Sequence, residues 1–188
     1  MKQPRVQKVQ FGKGLSVLIP HQKLQENTVL YLAGPHGFSE LTRSNLASLT
    51  RLIQVMCGKV KDPWKLTNEK LLKTAQDLPY GKERQEKWKE INAIIALNNE
   101  NGIRESTGVI ACLDGVDVDS GTATEIGIAY MLGLPILGYR TDFRLSADNE
   151  GSDVNLQVQG TIERSGSGKG RIVRSIKEVP DALLAIWG

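Results

Sequence analysis

The chain has 188 residues, with 24 basic and 21 acidic side chains and a formal net charge of +3. Both signs of charge are spread along it, which gives no reason to expect a nucleic-acid polymer as partner, and no apolar run approaches the ~18 residues of a membrane span. Length and composition therefore predict a soluble, intracellular protein of the cytoplasm, with one domain and its own hydrophobic core.

The hydrophobic pattern predicts an N-terminal extension over residues 1–27 and a single α/β domain over 28–188. The extension alternates apolar and polar residues and is expected to form a small hairpin that turns at Gly12-Lys13-Gly14. In the domain, apolar strands alternate with amphipathic helices. The predicted elements are, in chain order, strand 28–34, helix 39–56, strand 59–62, helix 83–98, strand 108–113, helix 121–132, strand 135–139, strand 171–174 and helix 180–187.

Short, nearly all-apolar strands that alternate with helices are typical of a parallel sheet covered on both faces. Right-handed crossovers then predict a five-stranded, doubly wound, flavodoxin-like or Rossmann-like sheet with strand order 2-1-3-4-5. Two segments receive no element, the polar stretch 63–82 and a long arm at about 140–170 that is rich in Gly, Ser, Asp and Asn. The length of the arm favours a lid or a partner-contacting segment, with disorder as the alternative.

Carboxylates gather where the predicted strand 108–113 meets the next helix, in the segment from Asp114 to Glu125. Because strands 1 and 3 are neighbours in the predicted order, this segment and the turn after the first strand flank one crevice at the carboxyl edge of the sheet. Asp119 and Glu125 are therefore expected near one crevice, where paired carboxylates can serve as acid, base or nucleophile. The acidic loop disfavours a phosphate at Gly121, and a neutral polyol such as a sugar fits it better.

Several of these residues also have simpler explanations. Asp119 can be a helix cap, Glu125 can be a first-turn residue that favours the helix dipole, and His36 is more typical of a solvated loop residue than of a catalyst. Cys57 and Cys112 lack the spacing of a metal or redox motif and are expected to be buried structural thiols. The stretch 165–170 lacks the residues that a phosphate loop requires, and no motif calls for a metal or an organic cofactor.

Three strings of residues together resemble the nucleoside 2-deoxyribosyltransferase family, in order and spacing over about residues 28–157. They are Val29-Leu30-Tyr31-Leu32-Ala33-Gly34-Pro35, Asp119-Ser120-Gly121-Thr122-Ala123-Thr124-Glu125-Ile126-Gly127 and Val154-Asn155-Leu156-Gln157. The resemblance implies exchange of 2-deoxyribose between nucleobases through a covalent intermediate on Glu125, with retention of the β configuration. It also implies deoxynucleosides and free purine or pyrimidine bases as substrates, and a place in nucleoside salvage.

The same resemblance implies roles around the sugar. Tyr31 would orient the Glu125 carboxylate, and Asp119 would bind the deoxyribose hydroxyls, with Gly34 and Gly121 beside the substrate. Asn155 matches the family residue that reaches the sugar 5′-hydroxyl from a neighbouring subunit. A homo-oligomer with shared active sites is therefore implied.

Around the base, the chain departs from the family pattern. Where many members carry an aspartate that assists protonation of the leaving base, this chain has Asn99, and an amide cannot act as an acid at neutral pH. Either Glu100 or water would then supply the proton, or activity depends on bases that leave readily. Trp64 is a candidate for stacking on the base, with core packing as the alternative.

Two other functions stay open. One is a hydrolase that cleaves the N-glycosidic bond of deoxynucleoside 5′-monophosphates. Such an enzyme needs positive charge in its pocket, and Arg140 and Arg144 could supply it. Asn155 and the acidic loop instead favour a substrate with a free 5′-hydroxyl. A non-catalytic nucleoside-binding module would use Glu125 only to accept a hydrogen bond from the sugar. A phosphoribohydrolase is disfavoured because the Pro-Gly-Gly that precedes Gly-Thr in such enzymes is absent.

Overall fold

The structure, a computed structural model, describes residues 6–11, 15–144 and 147–188. Its strands are β1 Val6–Phe11, β2 Leu15–Pro20, β3 Leu30–Ala33, β4 Val60–Lys61, β5 Gly108–Cys112, β6 Ile136–Tyr139 and β7 Arg171–Val173. Its α-helices are α1 Glu40–Cys57, α2 Glu69–Gln76, α3 Lys82–Arg104, α4 Ser120–Met131, α5 Leu156–Gly168 and α6 Val179–Trp187. Short 3-10 turns cover Pro35–Phe38 and Pro63–Lys65.

The central sheet confirms the predicted fold class. Strands β4-β3-β5-β6-β7 lie side by side in that order and all pair in parallel, which is the order 2-1-3-4-5 expected for the domain. Tyr31 pairs with Val109 and Ala33 with Ala111. The carboxyl ends of β3 and β5 are therefore neighbours, so the loops that follow them meet at one edge.

Helices cover both faces of this sheet because successive strand residues point to opposite sides. Leu30, Leu32 and Ile110 face one core, to which α1 and α6 contribute buried apolar residues. Tyr31 and Val109 face the other core, which α3, α4 and α5 complete. The tyrosine that the sequence analysis assigns to the site thus belongs to the α4 side of the sheet.

The N-terminal strands β1 and β2 pair antiparallel, with Val9 opposite Val17. Both of these valines are buried together with Ile19 in the core on the α6 side. This pair therefore packs on the α/β domain. The turn expected at Gly12-Lys13-Gly14 lies outside the described residues.

Two segments that received no element in the sequence analysis contain helices. The polar stretch contains α2, whose strong polarity hides a helix that buries Ala75. The arm at 140–170 contains α5, where the buried Thr161, Ile162 and Ser165 include only one apolar residue and left no periodic signal. Residues 140–144 and 147–155 have no helix or strand.

The helix predicted over 83–98 extends to Arg104 in the structure. The polar residues 98–101, which the prediction took as the end of the helix, are helical. Both cysteines are free, and Cys112 is buried, but Cys57 is only half-buried. Among the residues described, no helix combines the length and the apolar character needed to cross a membrane.

Candidate active site

A cavity of about 470 Å³ opens at the carboxyl edge of β3 and β5, between α3 and the first turns of α4. Its volume is in the range usual for small-molecule sites. Six residues singled out from the sequence line it, namely Gly34, Trp64, Asn99, Asp119, Gly121 and Glu125. The fold therefore brings together residues that are up to 91 positions apart (125 minus 34) in the chain.

The hydroxyl of Tyr31 donates a 2.6 Å hydrogen bond to Oε1 of Glu125. Tyr31 comes from β3 and is fully buried, whereas Glu125 comes from the second turn of α4 and lines the cavity. A rigid strand thus holds one carboxylate oxygen in place. This arrangement suits a carboxylate that must keep one orientation through a reaction.

Burial raises the pKa of Glu125, the hydrogen bond from Tyr31 lowers it, and the negative charge of Asp119 raises it; together they give a pKa of about 7. Burial and the nearby Glu125 carboxylate move the Tyr31 pKa far above its usual value. Tyr31 therefore stays protonated and donates at every physiological pH. The Glu125 carboxyl titrates near neutrality, which is the range expected of a group tuned for catalysis.

Asp119 caps the N-terminus of α4. Its Oδ2 accepts hydrogen bonds from the backbone N–H of Thr122 at 3.0 Å and from the Thr122 hydroxyl at 3.1 Å. The simpler explanation, a helix cap, therefore holds for Asp119, and the same residue also lines the cavity. A cap fixes its position, so the carboxylate stands at a defined place beside Glu125.

Two aromatic side chains form one wall of the cavity. Phe38 and Trp64 meet edge to face, with ring centroids 4.5 Å apart and planes at 88°. Trp64 is 41% exposed and Phe38 78% exposed, so neither is a core residue. A Cβ atom on Gly37 would come within 2.1 Å of the Trp64 ring, so this position accepts only glycine where the ring packs against the backbone.

The opposite wall is one face of α3, which presents Asn92, Ile95 and Asn99 at helical spacing. Asn99 is half-buried, and its Oδ1 is buried without a hydrogen-bond partner among the described residues. Glu100 points elsewhere, since its Oε1 accepts two hydrogen bonds from Arg104, at 3.0 and 2.6 Å. The wall therefore carries two amides, the exposed Asn92 and the half-buried Asn99, whose oxygen is enclosed by the protein.

His36 corrects the sequence analysis, which treated it as a solvated loop residue. It is only 8% exposed, and its Nε2 lies 3.1 Å from Sγ of Cys112. Burial lowers its pKa, so the ring is neutral at neutral pH. The 3-10 turn after β3 carries the ring inward under the loop that follows β5.

With Asp114, these two side chains form a group of metal-ligand type within the described chain, their ligand atoms all within 4.8 Å of one another. Asp114 also accepts from the Thr141 hydroxyl at 2.6 Å and from the backbone N–H of Asp142 at 2.8 Å. The group therefore ties the loops after β3, β5 and β6 to one another. It lies beside the cavity, since Gly34, which lines the cavity, packs against Cys112.

Three residues that the sequence analysis considered lie away from the cavity of their own chain. Asn155 caps α5, where its Oδ1 accepts from the backbone N–H groups of Gln157 and Val158. Arg140 is buried and donates to the backbone carbonyls of Leu113 and Arg144. Arg144 pairs with Asp142. Neither arginine is among the lining residues.

Half of the lining was not among the predicted site residues, namely Phe38, Pro63, Asn92, Ile95, Ser120 and Thr122. A signal existed for Asn92 and Ile95, which share a helix face with Asn99 at i, i+3 and i+7. Ser120 and Thr122 flank the predicted Gly121. Phe38 belongs to the turn after the first strand, which the strand order places beside the crevice, whereas Pro63 reaches the cavity through the packing of the two 3-10 turns.

Comparison with known proteins finds that the family model for nucleoside 2-deoxyribosyltransferase matches residues 30–157. A conserved protein from Enterococcus faecalis V583 is similar in structure, with a TM-score of 0.61 and 26% identity over 84% of this chain and 97% of that chain. The 2-deoxyribosyltransferase from the psychrotolerant bacterium Bacillus psychrosaccharolyticus shares the fold, with a TM-score of 0.56 and 19% identity over 82% of this chain and 91% of that chain. No curated protein matches significantly.

Proposed function

The chain belongs to the nucleoside 2-deoxyribosyltransferase family and is an enzyme of that type, and we propose that it moves 2-deoxyribose from the base of a deoxynucleoside to a second, free base. The observation that carries this proposal is the 2.6 Å hydrogen bond that holds the Glu125 carboxylate on the cavity wall. A carboxylate held by one oxygen at the cavity wall can act as a nucleophile at a sugar carbon in its ionised form, which a pKa of about 7 makes available at and above neutral pH.

In the first half-reaction, a Glu125 oxygen attacks C1′ of the deoxyribose. The C1′–N bond breaks as the C1′–O bond forms, and the electron pair of the broken bond leaves with the base. Tyr31 holds Oε1, so we assign the attack to Oε2. The transition state has oxocarbenium character, which the carboxylate stabilises from below the ring.

In the second half-reaction, a ring nitrogen of the incoming base attacks C1′ and displaces Glu125, whose carboxylate is regenerated. The incoming base loses its proton to water. Each step inverts the configuration at C1′, so the product keeps the β configuration. The enzyme ends the cycle unchanged, and no further reactant is consumed.

The proton for the departing base comes from water in this mechanism. Asn99 is an amide and cannot donate a proton at neutral pH. Glu100 is held by Arg104 and is not among the cavity-lining residues. Of the two sources that the sequence analysis left open, these contacts favour water.

We assign the sugar hydroxyls to Asp119, with the backbone at Gly34 and Gly121 beside them. Asn155 is assigned to the 5′-hydroxyl in the cavity of a neighbouring subunit, which makes the active enzyme a homo-oligomer. Its position outside its own cavity supports this assignment. Trp64 is assigned to stacking on the base, since its ring is exposed at the cavity wall.

The charge of the cavity favours nucleosides over 5′-monophosphates. In the described part of the chain, the lining contains the carboxylates of Asp119 and Glu125 and no lysine or arginine. Arg140 and Arg144, which kept the nucleotide hydrolase possible, are engaged by other groups outside the cavity. A phosphate dianion at this site would meet like charge without compensation.

The test is a chromatographic base-exchange assay. Wild type, Glu125→Ala and Glu90→Gln are each incubated with deoxyinosine and adenine, and separately with thymidine and adenine. Glu90 is an exposed carboxylate on α3 and serves as the matched control. We expect deoxyadenosine from wild type and Glu90→Gln but not from Glu125→Ala, and a peptide carrying one deoxyribosyl group on Glu125 when acceptor is withheld.

Other outcomes identify the rivals. Free hypoxanthine or thymine without deoxyadenosine indicates a hydrolase. Binding of nucleosides without turnover indicates a binding module, and cleavage confined to deoxynucleoside 5′-monophosphates indicates the nucleotide hydrolase. Each of these results contradicts deoxyribosyl transfer.

A further inference from the structure

The group formed by His36, Cys112 and Asp114 has no part in the deoxyribosyl transfer proposed above, since the lining residues described for the cavity include none of the three. His36 lies in the 3-10 turn after β3, Cys112 is the last residue of β5, and Asp114 follows in the next loop. Only 8% of His36 and 3% of Cys112 are exposed. Imidazole, thiolate and carboxylate are the side-chain groups that bind zinc in proteins.

The distances between the three ligand atoms suit a single metal ion. Nε2 of His36 lies 3.1 Å from Sγ of Cys112, and the ligand atoms of the whole group are within 4.8 Å of one another. Zinc bonds of about 2.0–2.3 Å at tetrahedral angles place neighbouring ligand atoms about 3–4 Å apart. Shifts of about 1 Å therefore suffice to bring the three atoms onto one ion.

The Asp114 carboxylate is held in position and still has capacity for a cation. Its Oδ1 accepts hydrogen bonds from the backbone N–H groups of Thr141 and Asp142, and its Oδ2 accepts one from the Thr141 hydroxyl at 2.6 Å. A carboxylate offers about four lone pairs, so Oδ2 keeps one for a further partner. Carboxylates that bind metals are typically oriented by hydrogen bonds of this kind.

We propose that His36, Cys112 and Asp114 bind one zinc ion, with water in the fourth tetrahedral position. The sulfur and nitrogen ligands disfavour Mg²⁺ and Ca²⁺, which take oxygen ligands. The ion connects the turn after β3 to the loop after β5, which Asp114 already joins to the loop after β6. It also supports Gly34, which packs against Cys112 and lines the cavity, so its role is structural.

The charges at the site are consistent with a divalent cation. Burial raises the pKa of Cys112 to about 12, so the thiol is protonated when no metal is bound. On binding, the S–Zn bond forms as the S–H bond breaks, and the proton passes to solvent. The thiolate and the Asp114 carboxylate then balance the two charges of zinc. The nearby Arg140 guanidinium is directed at two backbone carbonyls instead.

The experiment is a titration of the untagged protein with Co²⁺, after dialysis against EDTA under reducing conditions. Cobalt occupies zinc sites, and a bound thiolate gives it a charge-transfer band in the near ultraviolet. The chain has two cysteines, so Cys57→Ser, which removes the half-buried thiol, is the matched control. We expect one cobalt ion per chain with this band in wild type and in Cys57→Ser, and no band in Cys112→Ser.

Zinc should displace the cobalt and abolish the band, with a Kd below about 1 µM, whereas Mg²⁺ and Ca²⁺ should leave it unchanged. Asp114→Asn should weaken zinc binding more than about 100-fold. Thr141→Val, which removes the hydrogen bond from the hydroxyl to Asp114, should weaken it by about 10- to 100-fold. Circular dichroism checks that each variant is folded.

Thermal unfolding gives a second readout. Zinc at about 100 times its Kd should raise the Tm of wild type and of Cys57→Ser by about 5–10 °C, and should not raise that of Cys112→Ser. If Cys112→Ser does not fold, the band and the Tm of wild type and Cys57→Ser still decide the question, because Cys112 is the one thiol left in Cys57→Ser.

The proposal is overturned if wild type shows no thiolate band with cobalt, if the band disappears in Cys57→Ser, or if the Kd for zinc is above about 1 µM. Any of these results would mean that His36 and Cys112 make only a hydrogen bond within the protein. The base-exchange assay is read independently, so failure of zinc binding leaves the proposed function standing.

Discussion

Replacing the proposed nucleophile should make the protein more stable, and only at a pH where Glu125 is ionised. Its pKa is about 7 in the folded chain against an ordinary 4.5, chiefly because burial disfavours the charge. The stabilising contribution of the protonated carboxyl is thus complete below about pH 4.5 and is lost as the pH rises through about 7. Above about pH 7, the folded protein carries the ionised Glu125 carboxylate, which water solvates better in the unfolded chain.

The size of this effect follows from the two pKa values. Each tenfold change in an ionisation constant is worth about 1.4 kcal/mol, so the difference corresponds to about 3 kcal/mol. The carboxyl lines a cavity open to water, which reduces the expected value to about 2 kcal/mol. Glu125→Gln keeps the shape and an acceptor for Tyr31 but cannot ionise, so its free energy of unfolding should exceed that of wild type by about this amount at pH 8 and by less than about 1 kcal/mol at pH 5.

Urea unfolding followed by tryptophan fluorescence measures both values, since the chain has three tryptophans. Glu90→Gln, at an exposed position on α3, is the control and should match wild type at both pH values. The reasoning is refuted if Glu125→Gln gains no stability between pH 5 and pH 8 relative to wild type. Such a result would mean that the Glu125 carboxyl ionises as freely in the fold as in water.

Three further outcomes are expected. The kcat/KM of wild type should fall as the pH drops below about 7. Tyr31→Phe should move this fall in kcat/KM to higher pH and lower kcat about 10- to 100-fold, because the Tyr31 hydroxyl favours the ionised form of Glu125. A pH–rate profile whose acidic side does not move in Tyr31→Phe argues against this coupling. Asp119→Ala should lose about 1 kcal/mol of stability because it removes the helix cap, whereas Asp119→Ser keeps the cap and the stability. Both variants should lose deoxyribosyl transfer if the Asp119 carboxylate binds the sugar. Thermal unfolding reports the capping role, and the exchange assay reports the sugar-binding role. Gly102→Ala should lower activity and stability, since its new Cβ would lie 2.7 Å from Leu66 Cδ1 and 3.1 Å from Cε2 of the Tyr31 ring. Gly127→Ala, inside α4 and with nothing within 4 Å, should instead raise stability by about 0.5–1 kcal/mol in the same thermal unfolding experiments.

The parallel sheet was predictable because its signal is local. Runs such as Val109-Ile110-Ala111-Cys112 are buried on both faces and therefore apolar throughout, and alternation with helices restricts the connections to one hand. From the resulting strand order, it followed that the ends of β3 and β5 are neighbours. The family was recognised for a related reason. Asp119 and Glu125 lie on one short segment, so the spacing between the motif residues can be read directly from the sequence.

The elements that the sequence did not reveal are those whose burial is slight or polar. Helix α5 buries a threonine, an isoleucine and a serine, so its inner face is mostly polar. Helix α2 has an apolar face of Leu71, Leu72 and Ala75, but it is only eight residues long, too short for a repeating apolar pattern. The burial of His36 was likewise unpredictable, because it depends on the turn after β3 folding under the loop that follows β5.

By itself, the sequence determined the strand order, the two carboxylates and the tyrosine beside them, because apolar periodicity and short-range spacing are properties of the chain. The tertiary structure decided what surrounds them. Only packing brings the Phe38 and Trp64 rings together across two turns, turns one face of α3 toward α4, and encloses the Asn99 oxygen with no hydrogen-bond partner in the described part of the chain. These contacts join residues far apart in the chain, and their geometry depends on the whole fold, which no local pattern encodes.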